Sequence, residues 1–195
     1  MRGPEHNAYT MAATAVLRLI DAFDVEPSRV RFLALGTESS TDNSAGAVIV
    51  RGMIDDALRA RGSAPLARGC EVPEFKHACL GGVYALKNAV RFLRTDGAGS
   101  KAIVVCSDIA VYELGSSGEP TQGAGAVAML LEEDPKLAVV DLIGSGSASD
   151  YRIMDFRKPM ARFCGQDRSE SHQVQDFPVF NGKYSTTCYI DETLH

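Results

Sequence analysis

The chain is short of the features that mark several large protein classes. None of its five cysteines (Cys70, Cys79, Cys106, Cys164 and Cys188) forms a C-x-x-C pair, and the count is odd. That pattern argues against a disulfide scaffold or a thiolate zinc site, and free thiols point to a reducing, cytoplasmic setting. The four histidines, His6, His77, His172 and His195, are scattered without metal-ligand spacing, so no metal is expected. No apolar run approaches the length of a membrane span. The opening Met-Arg-Gly-Pro-Glu-His lacks the apolar core of a signal peptide. Positive charge is not in excess: the formal net charge is -5, so no basic face for nucleic acid is expected. Internal repeats and low-complexity segments are absent as well.

What is present is an ordinary globular composition, with 45% apolar and 23% charged residues in 195. That is enough for one domain with a real core. Apolar residues three and four apart predict helices over 7–23 and 45–61, the second with Asp42, Asn43 or Ser44 as cap. Val30 to Leu35 reads as a short strand ended by Gly36, and 71–75 as a brief extended segment before a helix at 83–93. Lys101-Ala-Ile-Val-Val-Cys106 is a near-continuous apolar run, the pattern of a strand buried on both faces. Further strands are predicted at 123–131 and 137–143. From 144 to 181 the chain reads as irregular, a loop or lid, with a short helix near 182–194. This order predicts an α/β domain with a mixed sheet. Both ends look abrupt, the chain opening straight into a helix and closing inside one, so part of a larger fold is expected.

The most informative segment is Glu74-Phe-Lys-His-Ala-Cys79-Leu-Gly-Gly82. A cysteine between an extended segment and a helix sits where unpaired N–H groups and the positive end of the helix dipole favour thiolate. The two glycines let a substrate approach the backbone. Cys79 therefore reads as a nucleophile in acyl transfer; the plain alternative is a small cysteine capping a core helix. Such a nucleophile needs an acid/base and an oxyanion hole. Glu38, just past the end of a buried strand, is the first candidate, against the plain reading of a solvated loop carboxylate. Asp108 follows a buried strand too, or simply closes a turn. Thr121 brings a hydroxyl within a glycine-rich turn. His77, two residues before Cys79, lies within reach of it, but the helix terminus can supply the activation alone.

Six motifs then follow one another in order: Gly-Thr-Glu38, His-Ala-Cys79-Leu-Gly-Gly, Ser-Asp108-Ile-Ala-Val-Tyr112, Pro-Thr121-Gln-Gly-Ala-Gly-Ala-Val, Asp155-Phe-Arg-Lys-Pro159 and Asn181-Gly-Lys-Tyr-Ser185-Thr-Thr-Cys-Tyr189. In this the chain resembles hydroxymethylglutaryl-CoA synthase, of the thiolase superfamily, from about residue 7 to the end. The resemblance implies a thiolase-like fold, with a mixed sheet and a buried helix carrying the nucleophile at its N-terminus. It implies that Cys79 takes an acetyl group from acetyl-CoA and that Glu38 helps remove a methyl proton. The resulting carbanion attacks acetoacetyl-CoA, and the backbone N–H of Cys79 belongs to the oxyanion hole. Asp108, Thr121, Asp155 and Ser185 match positions that line or support the acyl pocket. CoA thioesters are the implied substrates, without a further cofactor, and a homodimer is implied.

Three departures stand out. Leu80 occupies a position where many family members have Tyr, and Leu cannot donate a hydrogen bond. The His-x-Pro-type segment that supplies the family's catalytic histidine has no counterpart, and the first strand of the family's N-terminal half is absent. The chain is therefore expected to be most of a nucleophile-bearing first half, residues 1–195. A truncation fits this best, ahead of a split-enzyme subunit or a degenerate homologue. The competing readings are a condensing enzyme acting on acyl-carrier-protein thioesters, with Arg157, Lys158 and Arg162 as carrier-facing charges, and a non-catalytic binding subunit.

Overall fold

A computed structural model of the chain describes residues 7–40, 45–112, 114–152 and 182–194. The chain forms two compact units, Met1–Ile109 with Ala124–Ile143, and Ala110–Gly123 with Gly144–His195.

The first unit is built on a four-stranded sheet. Strands β1 (Val30–Gly36), β2 (Glu74–Phe75), β3 (Lys101–Ala110) and β4 (Gly123–Leu131) lie in the order β2-β1-β3-β4. β1 runs parallel to both β2 and β3, with Gly36 level with Phe75 on one side and Cys106 on the other. Lys101, at the start of β3, pairs with Glu132, just beyond the end of β4. That contact joins the beginning of one strand to the end of its neighbour, so β4 is antiparallel and the sheet is mixed.

Successive residues of β1 and β3 point to opposite faces, as strand geometry requires. Leu33, Leu35, Ile103 and Val105 meet Val16 and Ile20 of α1 (Ala8–Ala22) and Val50 and Ile54 of α2 (Gly46–Ala60). On the other face Phe32, Ala34, Ala102 and Val104 meet Ala85, Ala89 and Phe92 of α3 (Gly81–Leu93). The rings of Phe32 and Phe92 stack with centroids 5.1 Å apart. Burying each large aliphatic side chain contributes roughly 1.5–3 kcal/mol, so the strands with two apolar faces anchor the unit. The face of α3 that carries Val83 and Tyr84 remains exposed.

Local chemistry explains most helix ends. Asn7 caps α1: its side chain accepts from the Tyr9 and Thr10 N–H groups at 3.0 Å, and Thr10 Oγ1 accepts from the Asn7 N–H. α2 departs from expectation. Its N-cap residue is Ala45, at φ 71°, with no capping side chain of its own; the expected caps Asp42, Asn43 and Ser44 lie outside the described residues. Glu74 of β2 does the work instead, accepting from the Ala47 N–H at 3.1 Å, with Lys76 Nζ 3.4 Å from its other oxygen. A carboxylate beside a helix N-terminus is favoured by the dipole. The loop after α2 is tied down by Arg51, which donates to the carbonyls of Ala67 (2.9 Å) and Cys70 (3.1 Å) and pairs with Asp55.

The strand expected at 137–143 is not formed. Leu137 and Ile143 are both 92% exposed, and no strand lies beside them among the described residues. An apolar alternating run without a neighbour leaves its backbone groups to water and gains nothing by extending. In the second unit, α4 (Gly182–Leu194) forms as expected. Arg152 pairs there with Asp191 and Glu192 of α4, and with Asp150 beside it. Among the described residues, no helix is long and apolar enough to cross a membrane, and no cluster of three or more His, Cys, Asp and Glu could hold a metal.

Candidate active site

The carboxyl ends of parallel strands are where open α/β sheets gather functional loops. Here β1 and β2 both end at one edge. β1 delivers Thr37, Glu38 and Ser39; β2 delivers His77, Ala78 and Cys79. Glycine lets the two segments close on each other. A Cβ on Gly36 would stand 2.5 Å from Gly82 N and 2.8 Å from Gly81 C, and one on Gly81 would stand 2.5 Å from Phe75 O. No side chain fits at either place, so the start of α3 rests directly on the strand ends. The Thr37 N–H also donates to Phe75 O at 3.2 Å.

Cys79 is an exposed free thiol on a tight turn. Ala78, directly before it, has φ 41°, a left-handed conformation that costs a non-glycine residue roughly 1–2 kcal/mol. The Leu80 and Gly81 N–H groups close the turn by donating to His77 O (2.9 Å) and Ala78 O (3.2 Å). The expectation that the first amides of the helix point at the sulfur needs correcting on this point. α3 begins at Gly81, with Leu80 as its cap, and these two amides are spent on the turn that presents Cys79. The His77 ring packs edge-on against Tyr84, centroids 5.1 Å apart.

Asp108 lies within β3 rather than after it, because β3 runs to Ala110. Its Oδ1 accepts four hydrogen bonds: from Thr37 Oγ1 (2.9 Å), Glu38 N–H (2.8 Å), Ser39 N–H (3.1 Å) and Ser39 Oγ (2.9 Å). A carboxylate so engaged holds the loop that bears Glu38. Behind this group Cys106 is half-buried; burial, with a smaller contribution from Asp108, pushes its thiol pKa up. Ser107 Oγ donates to Ala8 O at 2.6 Å, and Tyr9 and Ser40 hydroxyls lie 2.8 Å apart. α1 is thereby fastened to the same edge of the sheet.

Cys79, Glu38 and Asp108 thus share the first unit. Thr121 and Ser185 belong to the second. Thr121 ends a 3-10 turn (Glu119–Thr121), and its hydroxyl and its N–H both bond to Gly118 O, at 2.7 and 2.9 Å. Ser185 is half-buried on α4. Asp155 lies outside the described residues. Sequence reasoning did not single out Ser39 or the contact of Gly82 with Cys106. The Ser-Ser pair after Glu38 was the only sign of the former.

Known proteins agree with this architecture. The family described as hydroxymethylglutaryl-coenzyme A synthase, N terminal, matches residues 3–136. The hydroxymethylglutaryl-CoA synthase of Haloferax volcanii is 34% identical over 85% of this chain and 36% of its own length. That of Enterococcus faecalis is 34% identical over 93% and 40%. Among solved structures, MvaS in complex with 3-hydroxy-3-methylglutaryl coenzyme A superposes with a TM-score of 0.78 at 38% identity, over 96% of this chain and 40% of that one. The chain spans well under half the length of these relatives. With six motifs in order, a matching fold and a family match over most of its length, the chain belongs to the hydroxymethylglutaryl-CoA synthase family.

Proposed function

We propose that the chain carries the nucleophile and the base of a hydroxymethylglutaryl-CoA synthase, as its nucleophile-bearing thiolase-like half. Cys79 attacks the thioester carbonyl of acetyl-CoA; CoA leaves, and acetyl-Cys79 remains. Glu38 takes a proton from the acetyl methyl group, and the electron pair passes into the thioester carbonyl, whose oxygen is stabilised by the Cys79 N–H. The carbanion adds to the ketone of acetoacetyl-CoA. Water then cleaves the thioester, freeing 3-hydroxy-3-methylglutaryl-CoA and the thiol. For Thr121, Asp155 and Ser185 the resemblance alone supplies a substrate-binding role in this reading. Asp108 supports the site through the loop it holds.

The observation that carries the reading is the pairing of an exposed Cys79, raised on a strained turn, with a carboxylate-bearing loop at the end of the adjacent parallel strand. A thioester acidifies its α-carbon, so one carboxylate positioned within reach of the methyl group is sufficient base. The test is an intact-protein mass spectrum before and after incubation with acetyl-CoA. One acetyl adduct, mapped to Cys79 and absent in Cys79→Ala, is expected. A chain that takes no acetyl group would overturn the assignment.

A further inference from the structure

Ser39 occupies an unusual position in the hydrogen-bond pattern of the site. It is the residue after Glu38, yet its own partners lie about seventy residues away on β3. Its hydroxyl donates to Asp108 Oδ1 at 2.9 Å and accepts from the Ile109 N–H at 2.8 Å. Its N–H donates to Asp108 Oδ1 at 3.1 Å and lies 3.0 Å from Thr37 Oγ1. One small side chain therefore stitches the end of β1 to the end of β3. Glu38 is held between two residues, Thr37 and Ser39, that share a single carboxylate oxygen, and its own N–H donates to that oxygen at 2.8 Å.

A hydroxyl that both donates and accepts fixes the backbone on each side of it. Without the Ser39 hydroxyl, the Ile109 N–H loses its partner and Asp108 keeps one hydroxyl donor, that of Thr37. The Glu38 and residue-39 N–H groups still reach Asp108, but the loop that bears Glu38 loses its side-chain tie to Asp108 and to the Ile109 N–H. A general base must stand within hydrogen-bond reach of the proton it removes, and a displacement near 1 Å costs on the order of 10²-fold in rate. We infer that Ser39 is a positioning residue for the proposed base Glu38, acting through its bridge between Asp108 and the Ile109 N–H. The inference rests on the assignment of Glu38 as the base.

The experiment follows methyl-proton exchange on acetyl-Cys79 in D2O, read as mass gain of the acetyl group, and compares it with the rate of acetyl loading from acetyl-CoA. In exchange, Glu38 removes a methyl proton and returns a deuteron drawn from solvent. Ser39→Ala is expected to lower the ratio of exchange to loading at least tenfold. Ser39→Thr, which keeps the hydroxyl, is expected to restore that ratio to within about threefold of the native chain. An unchanged ratio in Ser39→Ala, with Glu38→Gln abolishing exchange, would overturn the positioning role and leave the base assignment standing. Exchange that persists in Glu38→Gln would overturn the base assignment itself, and with it the inference. If the thiol does not load, amide hydrogen exchange decides the bridge. Faster exchange of the Glu38, Ser39 and Ile109 amides in Ser39→Ala, by tenfold or more, supports it, and unaltered exchange rejects it.

Discussion

The sulfur of Cys106 fills the space in which a Cβ on Gly82 would stand. Strand β3 and the first turn of α3 are therefore matched residue against residue, a thiol on one side and no side chain on the other. Gly82→Ala is expected to destabilise the chain by about 1–3 kcal/mol through overpacking. Cys106→Ala removes the obstruction, so the double variant should recover a substantial part of that loss in urea unfolding. Gly36→Ala meets the backbone of Gly81 and Gly82 instead, and no side-chain truncation should rescue it. Additive losses in the Gly82–Cys106 pair would refute the contact.

Glu38 and Cys79 should separate cleanly in kinetics. Glu38→Ala is expected to leave acetylation of Cys79 intact and to lower condensation by about 10²–10⁴-fold, the usual contribution of a positioned acid/base group. The check is single-turnover reaction of pre-acetylated protein with acetoacetyl-CoA. Loss of acetylation with condensation preserved would reverse the assigned roles.

Arg51 and Asp55 clamp the 62–70 loop onto α2. Asp55 is 7% exposed and accepts from the Leu66 N–H at 2.9 Å as well as from Arg51. Asp55→Ala strands the Leu66 amide and leaves the Arg51 charge without its carboxylate, and should cost about 2–4 kcal/mol. Amide exchange in the loop should rise in parallel. A loop that stays protected would show that its apolar contacts, led by buried Leu66, suffice to hold it.

Cys70 makes alkaline stability a readout of the same region. Burial, opposed by the nearby Arg51 charge, raises its thiol from 9.0 to about 11. The folded state thus holds the proton more tightly than the unfolded one. Its contribution is complete below about pH 9 and declines as pH rises towards 11, because the unfolded chain ionises first. Stability should fall by on the order of 1 kcal/mol per pH unit across that window. Cys70→Ala should flatten that portion of the profile, measured by urea titration at successive pH values; an identical slope in both proteins would reject the linkage.

The elements that were legible in the sequence are those whose cause is local. α1 carries its own cap in Asn7 and its apolar stripe in Val16 and Ile20. β3 announces itself by an unbroken apolar run, and Cys79 by its place between an extended segment and a helix. Glu38 and Asp108 were recognisable because each follows an apolar strand run, and their motifs then follow in the family's order. Spacing failed where the cause is distant. The carboxylate that accepts at the start of α2 belongs to Glu74, twenty-seven residues from the amide it serves. The residues 137–143 read as a strand, and among the described residues no strand lies beside them.

The sequence by itself determined the helices and the strands of the sheet, though not the fate of 137–143, that they build an α/β fold, and which cysteine is the nucleophile candidate. It did so because periodicity, capping and motif order are properties of neighbours along the chain. Only the tertiary structure decided that Asp108 spends one oxygen on the Glu38 loop and that Ser39 bridges that loop to β3. It alone decided, too, that Gly36 and Gly81 let α3 rest on bare backbone while Gly82 leaves room for the Cys106 sulfur. The longest of those relationships join residues some seventy positions apart, and they exist only once parallel strands have brought their ends to one edge.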